Sequence, residues 1–191
     1  GRPGGDEGIR HRLRGDRHPR TLEAQKLLGT ALVEMGRLEE GRAHLADGLA
    51  LARASLGAEH STTAGLLTDL GRCLMIMGRF AESEPIHQEL IPILDRQPSL
   101  ENTHTVRARF QLAVARLEQA RFDEAEALAR RALELSAEHT LAGDWFPCKI
   151  AVLLGNLSWI QGRFEEAEPL LDSGYRGLHA KFGAGHVETR F

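Results

Sequence analysis

Nine histidines, two cysteines and a regular series of arginines are the residues of this 191-residue chain whose types could support chemistry. Clustered imidazoles would suit zinc, and His18, His60 and His186 stand at equivalent places in a repeating pattern. Equivalent atoms in adjacent helical units lie about 10 Å apart, whereas zinc ligands each lie about 2.0 to 2.1 Å from the ion. The spacing therefore implies no metal, and the histidines are expected to order the turn before the next helix. Cys73 and Cys148 have neither CxxC pairing nor metal-ligand spacing, so they read as small core residues in a reducing compartment. Arg37, Arg79, Arg121 and Arg163 form a cationic column that an acidic partner would meet. Each also follows the end of a first helix, where positive charge complements the dipole and caps carbonyls, and that structural role is the expected one.

Catalysis would have to be declared by a motif. Gly183-Ala184-Gly185 lacks the third glycine of a phosphate loop and any strand before it, and there is no HExxH, GxSxG or zinc spacing. The expectation is a protein with no catalytic residue, no cofactor and no metal. A net charge of -3 excludes a molecule-wide field for nucleic acid or anionic membrane. The basic run Arg10-His11-Arg12-Leu13-Arg14 reads as a tail or the end of a preceding helix. No window approaches about 18 uninterrupted apolar residues, which implies a soluble, cytoplasmic chain. The sequence starts at Gly1 and stops at Phe191 just after a helix-start signal, as a piece of a longer protein would.

The elements that position these residues repeat. Met35-Gly36-Arg37-Leu38, Met77-Gly78-Arg79-Phe80, Gln119-Ala120-Arg121-Phe122 and Gln161-Gly162-Arg163-Phe164 follow one another at intervals of 42 residues. A second column, Leu28-Gly29, Leu70-Gly71, Leu112-Ala113 and Leu154-Gly155, keeps the same phase. A third marks the joints with His18, His60, Asn102, Asp144 and His186, followed three residues later by Thr21, Thr63, Thr105, Pro147 and Thr189. Leu28, Leu32 and Met35 share one helical face, as do Leu66, Leu70 and Leu74, and Phe122, Ala125, Ala129, Ala132 and Leu133 stripe a second helix. Each unit is thus a helical hairpin. Its small residues admit close helix contact, and Gly36, Gly78 and Gly162 end the first helix in a left-handed conformation. Pro85 and Pro169 are placed in the first turn of the second helix, and Pro92 is expected to shorten or bend its helix. Ser83 and His87 stand where small and large apolar residues are expected.

The series Leu-Gly, Gly162-Arg163-Phe164-Glu165-Glu166-Ala167-Glu168 and Ala132-Leu133 resembles the tetratricopeptide repeat. With joints Leu56-Gly57-Ala58-Glu59-His60 and Phe182-Gly183-Ala184-Gly185-His186, it is most similar to the 42-residue repeats of kinesin light chain and of bacterial signalling proteins. The resemblance implies an all-α, right-handed superhelix of about four hairpins with partial repeats at both ends. The units would be 18–59, 60–101, 102–143 and 144–185, with a tail or preceding repeat at 1–17 and a truncated repeat at 186–191. It further implies that first helices line a concave groove for a peptide or partner helix. By register the groove residues are Lys26, Thr30, Arg72, Met75, Phe110, Val114, Asn156 and Trp159, with Asn156 resembling the family's backbone-clamping asparagine. The stripe Val33, Met75, Leu117 and Trp159 either faces that ligand or packs between helices. The alternative function is a regulatory or oligomerising segment of a larger kinase or transcription regulator that self-associates through its end repeats.

Overall fold

A computed structural model describes residues 19–96, 102–138 and 145–183. Among these residues there are eight α-helices and no strand: α1 (Pro19–Glu34), α2 (Leu38–Leu56), α3 (Ser61–Ile76), α4 (Phe80–Arg96), α5 (Asn102–Glu118), α6 (Phe122–Glu138), α7 (Phe146–Ile160) and α8 (Phe164–Phe182). The chain is all-α. It divides into two compact units, the first holding α1 to α4 and the second α5 to α8. In the first unit α1 packs on α2, α3 on α4, and α2 on α3; in the second unit α5 packs on α6, α7 on α8, and α6 on α7. Each unit is therefore a pair of stacked hairpins.

The turn inside every hairpin is closed in the same way. Arg37, Arg79, Arg121 and Arg163 donate backbone N–H bonds to the carbonyls of Leu32, Leu74, Arg116 and Ser158, at 2.8 to 2.9 Å, while the preceding residue bonds the carbonyl three back. This double closure needs a left-handed residue, supplied by Gly36, Gly78 and Gly162 at φ 78°, 69° and 76°. The third hairpin uses Ala120 at φ 57°, against the preference of L-residues. Ala120→Gly is expected to stabilise the second unit by about 1 kcal/mol, read as a shift in its urea midpoint.

Side-chain size is matched across each hairpin. A Cβ on Gly29 would lie 2.8 Å from Leu45 Cγ, one on Gly71 would lie 2.9 Å from His87 Cε1, and one on Gly155 would lie 2.7 Å from Leu171 Cγ. Where the first helix carries Ala113 the second carries Ala129, both fully buried in one core cluster. Leu45, His87, Ala129 and Leu171 are themselves 42 residues apart, so large faces glycine and small faces alanine at one contact. His87, fully buried, thus does the job of the expected large apolar residue, with Nδ1 2.8 Å from the Ser83 carbonyl. Ser83 keeps its own position small and donates its hydroxyl to the Phe80 carbonyl at 2.9 Å.

Several expectations need correction. Leu28 and Met35 are 50% and 69% exposed, so of its stripe α1 buries only Leu32, whereas α3 buries Leu66, Leu70 and Leu74. Pro85 and Pro169 lie in the second turn of α4 and α8, not the first. The carbonyls that lose a partner there belong to Ala81 and Glu165, both exposed, which leaves water to satisfy them. Pro92 does not shorten α4, which runs 17 residues like α6. Cys73 is fully buried, and burial pushes its thiol up. Cys148 is only half-buried, and a Cβ on Gly177 would lie 2.2 Å from its Sγ. His60 caps α3, its Nδ1 accepting from the Thr62 backbone N–H at 3.1 Å, as its place in the joint implies. His18, Asp144, His186 and Thr189 lie outside the described residues.

Candidate functional site

The regular arginines are the first residues to resolve. The side chain of each reaches forward to a glutamate three residues on. Arg37 Nε bonds Glu40 at 2.9 Å, Arg79 Nε bonds Glu82 at 2.6 Å, Arg121 Nε bonds Glu124 at 2.8 Å, and Arg163 Nη1 bonds Glu166 at 2.5 Å. Two of them also bridge to the preceding hairpin. Arg79 Nη1 meets Glu39 at 3.1 Å in the first unit, and Arg163 Nη2 meets Glu126 at 2.5 Å in the second. Two members of the column are thus inter-hairpin ties, and all four side chains pair with the glutamate at the start of the second helix.

Glu126 is the best buried of these carboxylates. Burial by itself pushes its pKa up, but hydrogen bonds from Arg130 and Arg163 outweigh that and hold it below the usual range. A depressed carboxylate contributes stability that is present above its unfolded pKa of about 4.3 and is lost as pH falls through the folded value. Glu126→Gln is therefore expected to flatten the acid limb of stability below about pH 4.3, measured by urea unfolding at stepped pH.

Each unit has its own first-helix face, on which the expected groove residues can be placed. In the first unit this face belongs to α1 and α3, joined by a hydrogen bond from Thr30 Oγ1 to Asp69 Oδ2 at 3.1 Å. Lys26 extends across Gly65 of α3, where a Cβ would lie 3.2 Å from its Nζ, and pairs with Glu23 at 2.6 Å. Arg72 lies 4.0 Å from Asp69. Lys26, Thr30 and Arg72 thus come together on one half-exposed face, interleaved with two carboxylates that sequence reasoning did not single out. Met75 turns elsewhere, its Sδ 3.2 Å from Ser83 Oγ of α4.

In the second unit the face belongs to α5 and α7 and is aromatic at one end. Phe110 meets Phe146 edge-to-face at 5.2 Å, and Trp145 meets Phe146 and Phe182 at 5.8 and 5.0 Å. Lys149 Nζ lies 5.9 Å over both Phe110 and Trp145, and the Arg107 guanidinium lies 5.3 Å over Phe146. Lys149 and Arg107 share a 42-residue column with Glu23 and Gly65, so one further column in the same register would have found them. Val114 is half-buried against the core cluster, and Asn156 is exposed on α7. Trp159 is 59% exposed and rests edge-to-face on Phe164 at 5.0 Å. Along its stripe, Val33 is buried and Leu117 packs on the core cluster, so the stripe leans toward the partner helix of each hairpin.

No group of His, Cys, Asp and Glu among the described residues could hold a metal ion. No helix among them is long and apolar enough to cross a membrane.

Comparison with known proteins agrees with this architecture. The tetratricopeptide repeat model matches residues 21–96 and again 62–138. No curated protein sequence matches the chain. Among solved structures, BtubC (BKLC) from P. vanneervenii is similar with a TM-score of 0.76 and 18% identity, covering 87% of this chain and 66% of its own. The chain thus spans less than two thirds of BtubC. A Podosopora anserina protein described as a kinesin light chain with nearly identical TPR-like repeats gives a TM-score of 0.70 at 22% identity, covering 90% of this chain and 81% of its own. The apo form of RapI gives 0.71 at 12% identity, covering 83% of this chain and 56% of its own. These likenesses concern the fold. Since the repeat model covers well over half of the sequence, the chain belongs to the tetratricopeptide repeat family.

Proposed function

We infer that this chain is a non-catalytic scaffold that holds a peptide or partner helix of another protein against its first helices. The observation that carries the reading is the contrast between the helices of each hairpin. Second helices carry Arg–Glu ties between hairpins, whereas first helices gather residues of mixed chemistry: half-exposed Lys26, Thr30 and Arg72 in one unit, half-buried Phe110 and Val114 with exposed Asn156 in the other. Such a mixture of apolar anchors and polar groups suits an extended ligand. Met75 and Trp159 complete the set at its border with the second helices. Because Lys26 and Arg72 are held by Glu23 and Asp69, an anionic ligand there competes with internal carboxylates, so the apolar anchors dominate affinity. The four hairpin units 18–59, 60–101, 102–143 and 144–185 present these faces, and the chain works in the cytoplasm.

The test is binding of a displayed peptide library. Asn156→Ala and Trp159→Ala are each expected to weaken the selected peptides about tenfold or more with helicity unchanged. Unchanged affinity in both variants would reject this face.

A further inference from the structure

We propose that His87 makes the second hairpin acid-sensitive, its neutral ring holding α3 against α4 and its protonated ring driving them apart. The ring fills a contact that the other hairpins give to apolar side chains, since Leu45, Ala129 and Leu171 are its equivalents at intervals of 42 residues. It is fully buried. Nδ1 lies 2.8 Å from the Ser83 carbonyl oxygen, which can only accept, so Nδ1 carries the proton of the neutral ring. The opposite edge lies against α3 at Gly71, where a Cβ would be 2.9 Å from both Cε1 and Nε2. A second proton goes on Nε2, and the charge then sits where two helices cross, out of water.

By helical period, the side of α3 that carries Gly71 also carries Leu67, Thr68, Leu74 and Met75, none of them ionisable. The ionised residues of α3 are paired on its first-helix face, where Asp69 meets Arg72 at 4.0 Å and accepts from Thr30. The Cys73 thiol lies 3.6 Å from the Leu38 carbonyl of α2, and Arg53 of α2 reaches α4 at Glu89, 3.2 Å away. Arg79, in the turn, bonds Glu82 and Glu39. On α4 itself Glu84, one turn before His87, is the carboxylate placed to favour a charged ring, and it accepts from Gln88 Nε2 at 3.2 Å. Burial against the apolar side of α3 disfavours the imidazolium. A ring kept neutral in the fold but free to ionise when unfolded leaves stability whole above its unfolded pKa of about 6.5 and erodes it as pH falls below that value. Arg72 and Met75 of the proposed ligand face belong to α3, so acid would loosen the ligand too; that consequence rests on the function proposed above, and the opening of the hairpin does not.

The experiment follows urea unfolding of the 191-residue chain at about pH 7.5 and about pH 5, either side of the imidazole range. The probes are the methyl NMR signals of Met35, Met75 and Met77, the chain's three methionines, all in the first unit. The comparison is with His87→Leu, which repeats the contact of Leu45 over Gly29. Between the two pH values the unfolding constant of the parent should rise at least about tenfold more than that of His87→Leu. His60, whose Nδ1 caps α3, is replaced by Asn in both chains, so that the cap does not enter the difference. Should His87→Leu fail to fold, Gly71→Ala with His87→Ala takes its place, copying Ala113 and Ala129 of the third hairpin. In histidine-labelled spectra of the folded parent, the ring signal that the variant lacks should stay at its neutral position across this range. Equal rises in parent and variant, or a His87 ring that titrates near about pH 6.5 in the folded chain, would overturn the proposal. No ligand enters either measurement, so both outcomes are independent of the function proposed above.

Discussion

Leu45→Ala is expected to destabilise the first unit by about 3 kcal/mol, because Leu45 is fully buried and its atoms fill the space over Gly29. Gly29→Ala alone is also expected to destabilise, despite alanine's better helix propensity of about 1 kcal/mol, since its Cβ would sit 2.8 Å from Leu45 Cγ and 3.3 Å from the Gly41 carbonyl. The informative variant is the pair. Gly29→Ala with Leu45→Ala recreates the Ala113 and Ala129 contact of the third hairpin, which this same protein uses in its second unit. The double variant should recover about 1 to 2 kcal/mol relative to the sum of the singles, measured by urea unfolding as a double-mutant cycle. Additive losses would mean that the two positions do not share one space.

A second large effect is expected at Gly174, where α8 lies against the backbone of α7. A Cβ there would lie 2.6 Å from Val152 Cγ2 and 2.8 Å from the Cys148 carbonyl oxygen. The valine methyl can rotate, but the carbonyl belongs to the helix backbone, so relief requires the helices to separate. Gly174→Val should cost about 3 kcal/mol, lowering the melting temperature by about 5 to 10 °C. Gly36→Ala at the open turn, with nothing within 4 Å of a Cβ, should cost only the left-handed strain of about 1 to 2 kcal/mol. Calorimetry that ranked these two the other way would contradict the packing described for the fourth hairpin.

Much of this architecture can be read from residue order alone, for a physical reason. A hairpin turn needs a left-handed residue, and a close helix crossing needs a small one, so both leave a periodic mark at 42 residues in a chain of stacked hairpins. Gly36, Gly78 and Gly162 and the column of Gly29, Gly71, Ala113 and Gly155 are therefore visible without coordinates. The exposure of Leu28 was not, because its equivalents Leu70 and Leu154 are buried by the hairpin before them, and the type of a residue carries no record of which neighbour covers it. Size matching was hidden for a related reason. It is a relation between columns, and His87 looks like a departure until it is seen to fill the space over Gly71. The arginine column misled because its backbone closes the first helix while its side chain serves the second.

The proposed binding face was legible only in outline. Register alone places Lys26, Thr30, Arg72, Phe110, Val114 and Asn156 on first helices, where the structure also has them. It does not reveal that Glu23 and Asp69 hold the two cations, nor that Lys149 and Arg107 lie over aromatic rings. Those relations depend on side-chain direction across neighbouring helices, which a linear pattern does not encode.

Photo-crosslinking from single sites tests the central claim, that first helices hold the partner, most directly. A photoreactive residue would replace Arg72, Val114 or Asn156 on first helices, or the exposed second-helix residues Gln88, Glu134 or Arg176. With a library-selected peptide, the account predicts covalent capture from the first set and background from the second. Capture from Gln88, Glu134 or Arg176 without capture from the first set would contradict it.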